Sequence, residues 1–121
     1  MKENKYYYSD GGVLDYYDWD KKLHRLDGPA IEYSSGSKEW WIEDKLHRLD
    51  GPACEYANGH KCWYVEDKRH RLDGPAVEWA DGDKEWYVGG EELTYEEFEA
   101  HPKRQDYLAS LAIEEILSEK R

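Results

Sequence analysis

Leu23-His24-Arg25-Leu26-Asp27-Gly28-Pro29-Ala30 is the first of three near-identical octets in this chain. It recurs unchanged over 46–53 and again over 69–76, where only the first residue differs, Arg69 standing in place of leucine. The interval is 23 residues both times. The rest of the unit keeps step: Gly36, Gly59 and Gly82 are in register, as are Trp40, Trp63 and Trp86. Self-similarity at a fixed period marks a repeat architecture, in which each unit buries its apolar face only against its neighbours. The chain of 121 residues is therefore read as one domain. It holds three copies over 23–93, a degenerate copy over 1–22 and a tail over 94–121. In the degenerate copy Asp10-Gly11-Gly12 reads as a turn, and Tyr17 falls where the register expects tryptophan.

Each copy reads as a β-hairpin. Ser35-Gly36, Asn58-Gly59 and Asp81-Gly82 separate two strand-like runs, and Asn-Gly and Asp-Gly are signals for two-residue type I′ turns. If these pairs are the turns, counting places Ile31 opposite Trp40, Cys54 opposite Trp63 and Val77 opposite Trp86. One face then carries Ile31, Tyr33, Lys38, Trp40 and Ile42 and is the expected core. The other carries Ala30, Glu32, Glu39, Trp41 and Glu43. That polar face holds one large aromatic per copy: Trp41, Tyr64 and Tyr87. The same count sets Glu32 beside Glu39 and Glu78 beside Glu85, and points Cys54 and Cys62 to opposite faces, so no internal disulfide is expected.

The joints between hairpins are identical: His24, Arg25, Asp27, Gly28 and Pro29; His47, Arg48, Asp50, Gly51 and Pro52; His70, Arg71, Asp73, Gly74 and Pro75. Proline lacks an N–H and glycine tolerates unusual backbone angles, so each joint reads as a sharp corner. Equivalent histidines two strands apart are separated by roughly 9.5 Å, too far to share a zinc at bonds of about 2.1 Å. A structural role is expected for them, with no metal and no cofactor. The arginines are expected to form salt bridges with the aspartates two residues on. These residues resemble the MORN-like families of short β-hairpin repeats, in a phage, viral and bacterial variant reading His-Arg-x-Asp-Gly-Pro-Ala. The match is close over 23–93 and loose over 10–22. Asp44 and Asp67 depart from it by preceding lysine where that family often has glycine. The resemblance implies a β-hairpin solenoid or curled sheet that acts as a scaffold or interaction surface.

Composition narrows the function. The net charge is −11, which argues against binding a phosphate backbone. No run of about 20 apolar residues is present, and the N-terminal residues carry no apolar leader, so no membrane span and a cytoplasmic setting are expected. Two cysteines are too few for a disulfide framework. Eleven tyrosines and six tryptophans favour strands over disorder.

The tail changes character. Thr94 and Glu97 form a capping box, with Leu93 and Phe98 placed to staple it. A second helix is expected after Pro102, over about 103–118, with Leu108, Leu111, Ala112 and Ile116 as an apolar stripe covering the open edge of the last hairpin.

No nucleophile motif, phosphate loop or CxxC pair occurs, and the paired carboxylates repeat without the asymmetry an active site has. The reading is a non-enzymatic interaction module that binds a protein, with a basic surface as one candidate chemistry. Its expected site is Trp41, Tyr64 and Tyr87 ringed by Glu32, Glu39, Glu78 and Glu85. By analogy it would act as a small acidic phage-type inhibitor or toxin-neutralising protein. The alternatives are a nucleic-acid mimic and a small-ligand or carbohydrate binder using the aromatic row.

Overall fold

Every copy of the repeat folds as two hairpins rather than one. In the first copy β3 (Ile31–Glu32) pairs with β4 (Lys38–Glu39), and β5 (Trp41–Ile42) pairs with β6 (Lys45–Leu46). The second copy repeats this with β7 (Cys54–Glu55), β8 (Lys61–Cys62), β9 (Tyr64–Val65) and β10 (Lys68–Arg69). In the third, β11 (Val77–Glu78) is followed by one longer strand, β12 (Lys84–Val88), which also pairs with β13 (Glu91–Leu93). Ahead of these lie β1 (Lys5–Tyr7) and β2 (Val13–Leu14); behind them lie α1 (Tyr95–Ala100) and α2 (Pro102–Glu119). The computed structural model describes residues 3–120. The chain is mainly β: a nine-stranded antiparallel sheet in the order β13-β12-β11-β8-β7-β4-β3-β1-β2, with a C-terminal helical segment. The sheet is open, and neither a closed barrel nor a solenoid forms among the described residues. No helix among them is long and apolar enough to cross a membrane.

The first hairpin of each copy does not turn as its Ser-Gly, Asn-Gly or Asp-Gly pair suggests. Tyr33 N–H donates to Ser37 O (2.9 Å) and Gly36 N–H donates to Tyr33 O (2.9 Å), which makes the loop three residues, Ser34-Ser35-Gly36. Gly36, Gly59 and Gly82 close these loops at φ of 97° to 99°, the left-handed position that ends a three-residue hairpin. One extra loop residue slips the register by one. Ile31 faces Glu39 rather than Trp40, Cys54 faces Cys62 rather than Trp63, and Val77 faces Glu85 rather than Trp86. Because side chains alternate, a one-residue slip sends every side chain of the second strand to the other face.

Two continuous rows result. On one face Tyr6, Ile31, Glu39, Cys54, Cys62, Val77 and Glu85 are successive neighbours across the sheet. On the other face run Lys5, Glu32, Lys38, Glu55, Lys61, Glu78 and Lys84, alternating in sign at every step. The expected like-charge pairs do not exist, since Glu32 faces Lys38 and Glu78 faces Lys84. Opposite charges placed directly across a ladder contribute roughly 0.2–1 kcal/mol per pair, so the row supports the register it occupies.

The core lies along the first row. Tyr8, Leu23, Ala30 and Ile31 form one buried cluster with Trp41 packed on it; Cys54, Cys62 and Val77 form another beneath Leu46, Tyr64, Trp79 and Tyr87. Trp41, Tyr64 and Tyr87 therefore share the core side with Ile31 and Val77, while Trp40 and Trp63 lie on the opposite face. This inverts the expected assignment of the second strand. It also brings the two cysteines onto one face as cross-strand neighbours; both are free and buried. Burial pushes the Cys54 thiol up to about 12 and raises Cys62 as well, so both stay protonated at neutral pH.

The type I′ turns sit in the second hairpins. Glu43 and Asp44 have φ of 46° and 67°, Glu66 and Asp67 have 47° and 68°, and Gly89 and Gly90 occupy the same place in the third copy. Left-handed backbone costs a non-glycine residue about 1–2 kcal/mol. Hydrogen bonds offset that here: Asp44 N–H donates to Leu23 O (2.8 Å), and Asp44 Oδ1 accepts the Leu23 N–H (3.3 Å).

The tail meets its expectation in α1. Thr94 Oγ1 accepts the Glu97 N–H (3.1 Å) and Glu97 Oε1 accepts the Thr94 N–H (2.9 Å), so the capping box is closed. Phe98 is 1% exposed, and the Tyr95 ring lies 5.4 Å from that of Trp86. Helix α2 does not cover the sheet edge as its stripe suggests. No described residue of it is buried, and Leu108, Leu111, Ile113, Ile116 and Leu117 are exposed. Its first turns touch the body through Arg104, which donates from Nη1 to Leu72 O (2.7 Å) and from Nη2 to Glu99 (3.1 Å), through Gln105, whose Nε2 donates to Glu99 O (2.6 Å), and through Tyr107.

Candidate functional site

The corners are built around their arginines. Arg48 donates from Nε to Asp50 (2.9 Å) and from Nη1 to both Pro52 O (3.0 Å) and Glu55 (3.2 Å). Its guanidinium lies 3.8 Å from the centre of the Trp40 ring. Arg71 repeats every contact with Asp73, Pro75, Glu78 and Trp63, and Arg25 does so with Asp27, Pro29, Glu32 and Tyr7. The tryptophan position of the degenerate copy is thus taken by Tyr7, not Tyr17, which is exposed. Glycine at the corner has a different reason from the one expected. Gly28, Gly51 and Gly74 lie outside the left-handed region; a Cβ on each would come 2.9 Å from the arginine Cζ laid across it. Glu32 and Glu78, expected on the partner face beside the aromatics, are held by Arg25 and Arg71 on the opposite side of the sheet.

Surface ion pairs alone contribute about 0–1 kcal/mol, but a planar guanidinium stacked on an indole adds about 0.5–2 kcal/mol. Arg48→Ala is expected to lower unfolding free energy by about 2–3 kcal/mol, read as a shift of the urea midpoint. Arg48→Lys should recover less than half of that, because an ammonium cannot match the forked donor geometry.

The histidines hold the next turn. Nδ1 of His24, His47 and His70 accepts the N–H of Glu43 (3.0 Å), Glu66 (3.1 Å) and Gly89 (2.9 Å), each the first residue of a type I′ turn. His60 takes the Ala80 N–H (2.8 Å) and His101 the Lys103 N–H (3.1 Å) in the same way. Each acceptance needs an unprotonated Nδ1. Burial, with Lys103 and His101 nearby, pushes His70 below its ordinary value. A histidine depressed in the fold is neutral there while the unfolded chain takes up a proton, so stability rises with pH. Its contribution is complete above the unfolded value of about 6.5 and is lost as pH falls through the lower folded value. Urea midpoints are expected to drop on going from neutral pH into this acid window. In His70→Asn, whose Oδ1 can accept the same N–H, that drop should shrink.

Between successive corners lie two grooves on the arginine side of the sheet. The first is lined by Arg25, Leu26, Trp40, Ile42 and His47, and the second by Arg48, Leu49, Trp63, Val65 and His70. Leu26 and Leu49 are 81% and 80% exposed, among the most exposed large apolar side chains in the chain. The sequence carries a signal for them: a leucine kept between Arg and Asp in all three corners, where a solvated loop has no need of one.

The face expected to bind a partner is internally bonded. Trp41 Nε1 donates to Glu39 (3.0 Å), and Trp79 Nε1 and Tyr87 Oη donate to Glu85 (2.5 and 3.0 Å). Arg69 donates to Tyr64 Oη and Tyr87 Oη, both at 3.1 Å. The hydrogen bond from Trp79, foremost, holds the Glu85 carboxyl below the usual range. Arg69, the one altered residue of the repeated octet, therefore ties two copies together across the core side. Comparison with protein-family models, curated proteins and solved structures finds no match to this chain.

Proposed function

We propose that this chain is a non-enzymatic protein-interaction module of the MORN-like kind and that its working surface is the corner face. The observation that carries this is the exposure of Leu26 and Leu49 beside grooves lined by Trp40 and Trp63. Burying a leucine is worth about 1.5–3 kcal/mol, and a rigid aromatic-lined recess is where such anchors concentrate binding energy. The corners are rigid because each arginine is fixed by two carboxylates, a carbonyl and a ring. A binding role over catalysis is supported by spacing. Glu39 and Glu85 share a face but stand four strands apart, roughly 19 Å along the sheet, beyond the 5–9.5 Å that paired acid and base use. Nucleic-acid mimicry is disfavoured because the strand-face carboxylates alternate with lysines. Sugar stacking is disfavoured because the aromatic row is half-buried against the core clusters and bonded to Glu39, Glu85 and Arg69. A phage-type inhibitor or toxin-neutralising protein is one use such a module would have.

A photo-crosslinking amino acid in place of Leu49, in the native host, is expected to trap a discrete protein partner. The same group at Asn58, on a hairpin tip, should not. Trapping at Asn58 and not at Leu49 would place the working surface elsewhere.

A further inference from the structure

The two corner grooves are one groove written twice. Every lining residue of the first, raised by 23, is the lining residue of the second: Leu26 becomes Leu49, Trp40 becomes Trp63, Ile42 becomes Val65, His47 becomes His70. The second has one additional wall, Tyr107 of α2. That helix is seated by Arg104, three residues earlier, whose Nη1 donates to the carbonyl of Leu72 at the third corner. The molecule thus displays what its grooves accept: a helix that offers an arginine to a corner carbonyl and an aromatic ring, one turn on, to the recess. The first groove has the same floor and the same corner, with Leu49 in the place of Leu72, and no helix among the described residues lines it.

We infer that the first groove receives a basic amphipathic helix from a protein partner, seated as α2 is seated in the second. This rests on the interaction reading above and names the partner's chemistry. The charge follows from the rim. At each corner one arginine faces two carboxylates, Asp27 and Glu32 at the first and Asp50 and Glu55 at the second; Lys38, which lies between Glu32 and Glu55 in the ladder, offsets one of these, and the balance stays negative by a single charge. Asp27 and Asp50 are 87% exposed, and Glu43 and Glu66 stand at the turns beside the groove, with Lys45 on the same recess and Lys22 3.8 Å from Glu43. The chain as a whole carries −11. A second copy of this chain is a poorer occupant. The exposed half of α2 carries Glu114, Glu115 and Glu119, and two chains of this charge repel.

The probe is a synthetic lysine-rich helical peptide with Arg and Tyr three positions apart on one face, titrated into the full ¹⁵N-labelled chain. The expected result is a dissociation constant on the order of 10 µM, with the Trp40 indole resonance moving and that of Trp86 still. Leu26→Asp in the protein, and Tyr→Ala in the peptide, should each weaken binding about tenfold or more. Leu26 is exposed, so this variant is expected to keep the wild-type thermal midpoint. The inference is overturned if Trp40 does not respond or if Leu26→Asp leaves the affinity unchanged. It is also overturned if Trp40 shifts with protein concentration alone and Leu111→Asp abolishes the effect, which identifies a second copy as the occupant. Failure of the peptide while Leu49 still crosslinks a partner overturns the helical, basic chemistry and leaves the interaction reading standing. Failure of both removes both.

Discussion

Replacing Trp41, Tyr64 and Tyr87 together by alanine is expected to unfold the protein. These rings pack on the two buried clusters; Trp41 and Tyr87 also hold Glu39 and Glu85 of their own copies, and Tyr64 and Tyr87 accept the hydrogen bonds by which Arg69 joins neighbouring copies. A fully buried large aromatic loses about 3–5 kcal/mol on truncation, and half-buried ones lose about 2 kcal/mol each by the same scaling. The sum of about 6 kcal/mol reaches the lower end of a typical domain's total stability. Loss of Arg69's two acceptors adds the desolvation of a half-buried cation. Near-ultraviolet circular dichroism and a urea titration read the outcome. A cooperative transition with an unchanged midpoint would show instead that these rings are a free surface. Single substitutions should rank Tyr87 above Trp41, since the Tyr87 hydroxyl is bonded with Glu85, Arg69 and Glu92, while among the described residues the Trp41 indole bonds to Glu39 alone.

The second large effect separates the two helices. Phe98→Ala is expected to cost about 3–5 kcal/mol, because Phe98 is the most buried large side chain of the tail and α1 closes the sheet beside β12 and β13. Deleting 113–121 is expected to leave the urea midpoint unchanged within about 0.5 kcal/mol, because that half of α2 buries nothing on its own chain. The two results together would establish α1 as the structural cap and the outer half of α2 as dispensable for folding. A large loss of stability on deleting 113–121 would mean that the exposed stripe is covered in solution, and sedimentation of the intact chain would then reveal by what.

Much of this architecture is legible without coordinates because the period is strict. Three octets that share their last seven residues imply three like joints, and they are: every corner arginine repeats its bonds to Asp, Pro carbonyl and Glu. The capping box of Thr94 and Glu97 is local chemistry, complete within four residues, and it forms as its pattern requires. The hairpin register is the opposite case. A glycine in the left-handed region satisfies either the second position of a type I′ pair or the last position of a three-residue loop, so the turn residues alone leave both open. The flanking charges hold a further signal. The two-residue count sets Glu32 against Glu39, while the slipped count sets Lys against Glu at every step, and the electrostatics of the pair chooses the second.

What the sequence by itself determined is therefore periodic or local: the number of copies, their antiparallel strands, the Arg–Asp pair of each corner, the cap of α1. Each depends on residues within one unit of one another, where chain connectivity limits the arrangements. What only the tertiary structure decided is how units meet. A groove exists between corners because one copy is laid beside the next, so Leu26 and Leu49 are brought next to Trp40 and Trp63 by inter-unit hydrogen bonds such as Trp40 N–H to Ala53 O and Arg48 N–H to Tyr64 O. The apolar stripe of α2 is likewise plain in sequence, but its direction is not. The first turns of the helix are held by Arg104 at Leu72 and Glu99, by Gln105 at Glu99 O and by Tyr107 at the second groove, and beyond them Leu111, Ile113, Ile116 and Leu117 stand in solvent instead of on the sheet edge.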